Sequence, residues 1–275
     1  MSYRGIHTET INVNGHNGDA IDAYLARPEG EGPFPGVVVI HHLPGWDEWT
    51  LEVCWKLAHH GFATIAPHLY SRFGPGSPDD VAARGRGFGG MSDEEVVGDA
   101  AGSARYLKQQ TYSNGKVGTI GFCSGGRQVF VIACKLPDID AAVDCWGGGV
   151  IMDESQLTEK RPVSPITMTP DLHCPLLGIF GNDDENPRPS EVDATEDELK
   201  RLGKTYEFYR YDGAGHAFFS TDRYRYRPEQ AVDAWGKVYA FFGRHLQNPT
   251  AGGANPKFIG PSPNVSLSGT VPLRS

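Results

Sequence analysis

The segment 121–126, GFCSGG, places a cysteine and a serine among three glycines, residue types that can build a turn carrying a nucleophile. The run before it, 116–122, is β-branched and apolar, and the run after it, 127–135, is compatible with a helix. A sharp turn between a strand and a helix lifts a nucleophile above the edge of a sheet. The N–H of Ser124, at the start of the helix, would then point to the position of an oxyanion. A glycine-rich turn with a buried thiol is the alternative interpretation.

Two side chains in this segment, Cys123 and Ser124, compete for the role of nucleophile. Centring the turn on Ser124 puts Phe122 two residues before it, where a side chain crowds the backbone. Centring it on Cys123 puts Gly121 and Gly125 at the crowded positions instead, and glycine relieves that crowding. A thiol also ionises near neutral pH when a positive group or a helix N-terminus is close, and the thiolate attacks. The sequence therefore favours Cys123.

A histidine that could serve as general base lies in the loop 212–218, DGAGHAF, directly after the predicted strand 205–211. Small residues flank His216, so the loop can bend its imidazole back toward the nucleophile. A surface histidine without a catalytic role is the competing interpretation. Because such sheets place their sites at the carboxyl ends of the strands, we expect His216 to lie close to Cys123.

An acid that could orient this histidine lies in the loop 181–187, GNDDENP, after the predicted strand 175–180. Asp183 and Asp184 are both candidates, since one would face the histidine and the other solvent or a turn amide. The resulting chain order of nucleophile, acid and histidine is that of the α/β-hydrolase fold.

The elements that must position these residues alternate between strand-like and helix-like segments. This pattern is typical of a mostly parallel sheet with helices on both faces. The predicted strands are 9–13 and 20–25, which form an antiparallel hairpin, then 35–40, 63–66, 116–122, 141–145, 175–180 and 205–211. The predicted helices are 47–60, 92–109, 127–135, 190–203 and 228–246, whereas 73–90 is expected to be a loop or cap.

Two sequence patterns predict helix starts. Ser92 and Glu95 have the spacing of a capping box, and Ser190 with Asp193 is expected to start the helix that stops at Gly203.

Composition limits the class of protein. The chain has 275 residues with 39% apolar content, which suffices for one sizeable domain. Its net charge of −9 argues against nucleic-acid binding, and no run has the length of a membrane span. No apolar stretch follows the N-terminal residues, so no secretory signal is expected. A small-molecule substrate is the expected partner.

The five cysteines have neither regular spacing nor a CxxC pair. They fit a reducing cytoplasm and predict no metal site. Residues 247–275 are rich in Gly, Pro, Ser and Asn, which predicts a tail or extended arm following a domain at 1–246. We expect a monomer or a homodimer, with the arm as a candidate interface element.

With these residues placed, the chain resembles the dienelactone hydrolase family over residues 10–246. The resemblance is carried by the segments 112–118 (YSNGKVG), 121–126 (GFCSGG), 61–70 (GFATIAPHLY), 181–184 (GNDD) and 213–218 (GAGHAF). It implies an α/β-hydrolase fold and a Cys-His-Asp hydrolase of esters or lactones that needs no metal or organic cofactor. It also implies Asp184 as the acid, because the family aspartate stands three residues after the glycine.

The chain departs from the family at His42, where the family carries a glutamate beside the cysteine. His42 could pair as imidazolium with the thiolate of Cys123, or it could be a wall of the pocket. The N–H of Leu43 remains a candidate second oxyanion donor, because that role needs only backbone.

A second departure concerns the substrate. Family members that hydrolyse dienelactone hold its carboxylate with arginines, one of them four residues past the histidine, where this chain has Ser220. Four arginines are candidate replacements: Arg84, Arg86, Arg127 and Arg223. Trp146 and Phe218 are expected either to line an apolar pocket or to belong to the plain core.

The favoured function is hydrolysis of carboxylic esters or lactones through an acyl-enzyme intermediate. A thioesterase or acyl transferase using the same site is one alternative. The other is a non-catalytic small-molecule binding module that kept the fold and lost the activating groups around the cysteine.

Overall fold

The computed structural model describes residues 5–221 and 224–247, and its centre is one sheet of eight strands in the order β1-β2-β4-β3-β5-β6-β7-β8. The strands are β1 (Ile6–Asn14), β2 (Ala20–Pro28), β3 (Phe34–Ile40), β4 (Ala63–Pro67), β5 (Ser113–Phe122), β6 (Ala141–Cys145), β7 (Leu176–Gly181) and β8 (Tyr206–Tyr211). β2 pairs antiparallel with both β1 and β4. From β4 onward in this order, every neighbouring pair of strands, including those of β3, is parallel. The predicted mostly parallel sheet is therefore confirmed.

Six α-helices in the described residues cover the sheet on both faces, as the alternating pattern predicts. They are α1 (Glu48–His59), α2 (Pro78–Gly87), α3 (Asp93–Lys108), α4 (Ser124–Lys135), α5 (Pro189–Arg201) and α6 (Pro228–Leu246). Side chains of α1 and α6 share one buried apolar cluster, and side chains of α2, α3 and α4 belong to the cluster on the opposite face. β3 is buried along its whole length, in keeping with its continuous apolar sequence.

The segment expected to be a loop or cap, 73–90, contains helix α2, so that prediction was wrong over Pro78–Gly87. Ser77 caps the helix by accepting the N–H of Asp80, and Pro78 occupies the first turn. This Ser-Pro start is a helix signal that the high Gly and Arg content of the segment obscures.

The predicted start of α5, at Ser190 with Asp193, was also wrong. The helix begins at Pro189, and the carboxylate of Glu191 accepts the N–H of Arg188 at 2.8 Å. Asp193 instead pairs with Arg210 of β8. The capping box of Ser92 and Glu95 at the start of α3 is confirmed.

The tail predicted at 247–275 lies outside the described residues apart from Gln247. Within the described part of the chain, no helix is both long and apolar enough to cross a membrane.

Candidate active site

Cys123 stands between the end of β5 and the first residue of α4, in the backbone conformation of a strained turn. Its φ is 55° and its ψ is −120°, a region that non-glycine residues rarely occupy. The N–H of Cys123 donates to the carbonyl of Cys145 at 3.0 Å, and its own carbonyl accepts the N–H of Gly126 at 3.0 Å. The structure therefore has the predicted strand–turn–helix geometry, with a partly exposed thiol at its apex.

The glycines on both sides of the turn are required by close backbone contacts. A Cβ added at Gly121 would lie 2.2 Å from the carbonyl oxygen of Gly125. One added at Gly125 would lie 2.4 Å from the carbonyl oxygen of Ile40, at the end of β3. Real Cβ atoms essentially never show such distances. The backbone of this turn, residues 121–125, which we call the elbow, can therefore approach β3 only because these positions are glycine.

His216 and Asp184 meet at the carboxyl ends of β8 and β7. The Nδ1 atom of His216 lies 2.9 Å from Oδ2 of Asp184, and the other carboxylate oxygen accepts the N–H of Asn186 at 2.9 Å. Asp184 is buried, whereas Asp183 is exposed. Of the two candidate acids, the structure brings Asp184 to the histidine.

The environment of His216 favours its protonated form. Burial lowers the pKa of this imidazole, but hydrogen bonds to Asp184 and to the side chain of Cys123 raise it, together with the charges of both partners. The result is a pKa of about 9. Both Asp184 and Cys123 thus act on the imidazole of His216 and stabilise its charged form.

The two candidate oxyanion donors belong to adjacent elements. Ser124 is the first residue of α4, so its N–H has no acceptor within the helix. Leu43 lies in the loop between β3 and α1, and the contact of Gly125 with the end of β3 brings this loop beside the elbow.

His42 is buried in the same loop, and its described hydrogen-bond partner is not Cys123. Its Nε2 atom lies 2.6 Å from Oδ2 of Asp47, and its ring packs against Trp49 with 5.0 Å between centroids. Burial raises the pKa of Asp47, whereas its interactions with His42 and its hydrogen bonds with Thr50 lower the pKa by more. The net shift is therefore downward. A pairing of His42 with the cysteine stays a prediction. Sequence reasoning missed Asp47, although its position before α1 marks it as a helix cap.

Arg127 and Arg84, the candidates for holding a substrate, make their hydrogen bonds within the fold. Arg127 is buried and forms a double ion pair with Asp93 at 2.6 and 3.1 Å. Arg84 donates to the backbone carbonyls of Phe73 at 2.8 Å and Pro75 at 2.6 Å. These groups hold elements of the protein together, and the expectation that either guanidinium binds substrate stays a prediction. Arg223 lies outside the described residues.

Trp146 and Phe218 are fully buried members of the core, not walls of an open pocket. Trp146 has a positive φ of 44° and packs against Phe218, with 5.2 Å between ring centroids. Its ring also lies edge-on to the imidazole of His216 at 6.4 Å. Trp146 therefore lies between Phe218 of the core and the imidazole of His216.

A groove of about 420 Å³ opens beside His216 between the loops after β7 and β8. Arg225 and Arg227 are among the residues that line it. Among residues 5–221 and 224–247, no group of three or more His, Cys, Asp or Glu side chains converges as a set of metal ligands.

Comparison with known proteins assigns most of the chain to one family. The model of the dienelactone hydrolase family matches residues 21–246. A Methylorubrum extorquens protein, provisionally named carboxymethylenebutenolidase, is 32% identical over 234 residues, which cover 82% of this chain and 77% of the relative. A Bradyrhizobium protein, provisionally named 2-oxo-3-(5-oxofuran-2-ylidene)propanoate lactonase, is 29% identical over 247 residues, covering 87% of this chain and 97% of the relative.

A solved structure supports the same family. The Klebsiella pneumoniae protein provisionally named dienelactone hydrolase has a TM-score of 0.80 and 28% identity, covering 88% of this chain and 100% of that one. The chain therefore belongs to the dienelactone hydrolase family and is a hydrolase with the α/β-hydrolase fold.

Proposed function

We propose that this protein hydrolyses carboxylic esters or lactones with Cys123 as nucleophile, His216 as acid and base, and Asp184 as the group that orients the histidine. The observation that carries the proposal is the continuous connection of these three side chains. His216 hydrogen-bonds to Asp184 on one side, and the side chain of Cys123 is near enough to the imidazole to raise its pKa. A nucleophile, a base and an orienting acid in this sequence of contacts are the requirements of covalent acyl transfer.

In the first half of the reaction, the thiolate of Cys123 attacks the carbonyl carbon of the substrate. A C–S bond forms while the carbonyl electron pair moves to oxygen, where the N–H groups of Ser124 and Leu43 stabilise the negative charge. When the carbonyl re-forms, the C–O bond to the leaving oxygen breaks, and the imidazolium of His216 gives that oxygen its proton. In a lactone the released oxygen stays on the acyl chain as a hydroxyl.

In the second half, water attacks the thioester. The now neutral His216 takes a proton from this water, and the same two N–H groups stabilise the second oxyanion. Collapse breaks the C–S bond and returns the electron pair to sulfur, so the acid product leaves and the thiolate–imidazolium pair is restored. Asp184 holds the imidazole ring in position throughout, because it bonds to Nδ1 and leaves the other ring nitrogen for the chemistry.

The substrate class is supported by the lactonase name of the Bradyrhizobium relative. A groove open to the solvent reaches His216, although Cys123 does not line it.

The experiment compares Cys123→Ala with the unmodified protein, using an aryl ester and a set of lactones. We expect the substitution to abolish turnover while circular dichroism shows an intact fold. Because the other four cysteines are buried, iodoacetamide should label Cys123 selectively in the unmodified protein and stop its turnover. Turnover by Cys123→Ala, combined with its loss in Ser124→Ala, would transfer the nucleophile role to the serine hydroxyl.

A further inference from the structure

The peptide unit that joins His42 to Leu43 is held by hydrogen bonds at its carbonyl. The carbonyl oxygen of His42 lies 2.8 Å from Nδ1 of His41 and accepts the N–H of Gly45 at 2.9 Å. A trans peptide unit is planar, with its C=O and N–H on opposite sides. Two bonds that fix the direction of the His42 carbonyl therefore also fix the direction of the Leu43 N–H.

The chemistry of this contact determines the role of the His41 ring. A carbonyl oxygen only accepts, so Nδ1 of His41 must carry the proton and donate. Burial lowers the pKa of His41 to about 3, although the bond to the His42 carbonyl opposes this shift. The ring is thus neutral across the working pH range of an enzyme, and the hydrogen bond does not change with pH there.

The other ring nitrogen of His41 makes no hydrogen bond within the described residues. The side chain is 3% exposed, so this nitrogen is buried, next to a cavity of about 20 Å³ that Ser124 and Gln128 also line. Burying an acceptor without a partner costs free energy that an apolar side chain would avoid. The imidazole is therefore a poor choice for filling space alone, and its distinctive contribution is the Nδ1 donor.

Tyr70 supports the orientation of the Leu43 N–H with both its ring and its hydroxyl. Its ring lies edge-on to the His41 ring with 4.8 Å between centroids, which limits how far the imidazole can turn. Its hydroxyl donates to the carbonyl of Leu43 at 3.4 Å. The carbonyls before and after the Leu43 N–H are thus both held by aromatic side chains.

We propose that His41 is a positioning residue that holds the Leu43 N–H in the orientation needed to stabilise the oxyanion. It does so through the carbonyl of His42 and touches neither the substrate nor the nucleophile. This inference rests on the proposed function, since it requires an oxyanion to form at Cys123.

The test uses the full chain with two substitutions, His41→Leu and His41→Asn. Leucine removes the donor, whereas the amide nitrogen of asparagine stands at the same number of bonds from the backbone as Nδ1. Turnover of an aryl ester gives kcat and KM. Alkylation of Cys123 by iodoacetamide, followed by mass spectrometry, gives a separate rate for the nucleophile. Alkylation displaces iodide from a saturated carbon and forms no oxyanion, so it does not depend on the Leu43 N–H.

For His41→Leu we expect kcat to fall at least about tenfold, toward the 10²–10³-fold typical of losing an oxyanion donor. KM and the alkylation rate should stay within about threefold of the unmodified protein, and His41→Asn should recover most of kcat. An unchanged kcat in His41→Leu would overturn the inference. So would a parallel loss of alkylation and turnover, or a failure of asparagine to perform better than leucine.

If His41→Leu does not fold, His41→Met provides a more adaptable apolar replacement. Failure of all three variants to fold would show that the ring serves only packing and would overturn the inference. Failure of the proposed function itself is detected independently, by turnover that persists in Cys123→Ala.

Discussion

At the scale of single residues, backbone strain is concentrated around the proposed triad. Four non-glycine residues in the described chain have a positive φ, and three of them, Cys123, Trp146 and Ala217, belong to the site or adjoin it. Such conformations persist only where the surrounding structure over-determines them. At Cys123 the strain raises the thiol above the sheet, and at Trp146 it brings the indole beneath His216.

The two neighbouring aspartates provide a matched pair of substitutions. Asp184→Asn should lower kcat by about 10²- to 10⁴-fold, because the imidazole of His216 loses its charged partner and its preferred tautomer. Asp183→Asn should stay within about threefold, because Asp183 is exposed and makes no described side-chain bond to the histidine. Steady-state kinetics on an aryl ester measures both. Equal and mild effects of the two substitutions would remove Asp184 from the triad.

The raised pKa of His216 predicts a pH dependence of stability. Its pKa is about 9 in the folded protein, above the reference of 6.5 taken for the unfolded chain. A raised folded-state pKa adds stability that is fully present below pH 6.5 and is lost as the pH rises through about 9. Urea unfolding of the unmodified protein and His216→Gln at pH 6, 8 and 9.5 measures this. The difference in unfolding free energy should shrink as pH rises, and a constant difference would contradict the ion pair.

At the scale of elements, the site depends on how closely α4 and β5 approach β3. The elbow backbone contacts the last residue of β3, and the loop that follows β3 carries Leu43. The same contact that requires glycine at position 125 therefore also sets the separation of the two candidate oxyanion donors.

Gly125→Ala should destabilise the protein by at least about 2 kcal/mol, because the new Cβ would meet the backbone of Ile40 at 2.4 Å and backbone cannot yield cheaply. The matched control is Gly236→Ala in α6, where an added Cβ meets nothing within 4 Å. This control should raise the unfolding free energy by about 0.5–1 kcal/mol, because alanine favours helix. Chemical denaturation measures both. A Gly125→Ala protein as stable as the control would show that the elbow can relax.

At the scale of the whole molecule, the order of strands brings together residues that are far apart in the chain. Cys123, Asp184 and His216 follow β5, β7 and β8, and the parallel direction of these strands puts all three residues at one edge of the sheet. The end of α6 lies at the opposite edge of the sheet, where the side-chain amide of Asn114 in β5 donates to the carbonyl of Leu246 at 2.8 Å.

Truncation after Leu246 should leave kcat within about twofold, because the three candidate residues and the bond of His216 to Asp184 all lie before this point. Residues 247–275 have too few apolar side chains to form a core of their own, so they can act only through the body or a second subunit. We therefore expect a lower midpoint of thermal unfolding or a changed oligomeric state, measured by calorimetry and light scattering. Complete loss of activity in a folded, truncated protein would assign the tail a part in the site.

Local sequence determined most of the elements and the glycine-rich turn that carries Cys123. The glycines at 121 and 125, the apolar run of β3 and the capping box of α3 each state a local requirement that is readable without tertiary contacts. Helix α2 escaped prediction because its Gly and Pro residues have weak helix propensity, and packing of Val81 and Ala82 into the core compensates for this.

Only the tertiary structure decided which polar groups meet. The family resemblance already implied Asp184 as the acid, but its contact with His216 is seen only in the structure. This contact, the ion pair of Arg127 with Asp93 and the bond of His42 to Asp47 depend on side-chain directions set by packing. The role of His41 depends on a peptide orientation that two hydrogen bonds select. Residue types limit the partners a group can have, but the direction in which each side chain leaves its strand or loop determines the partner it finds.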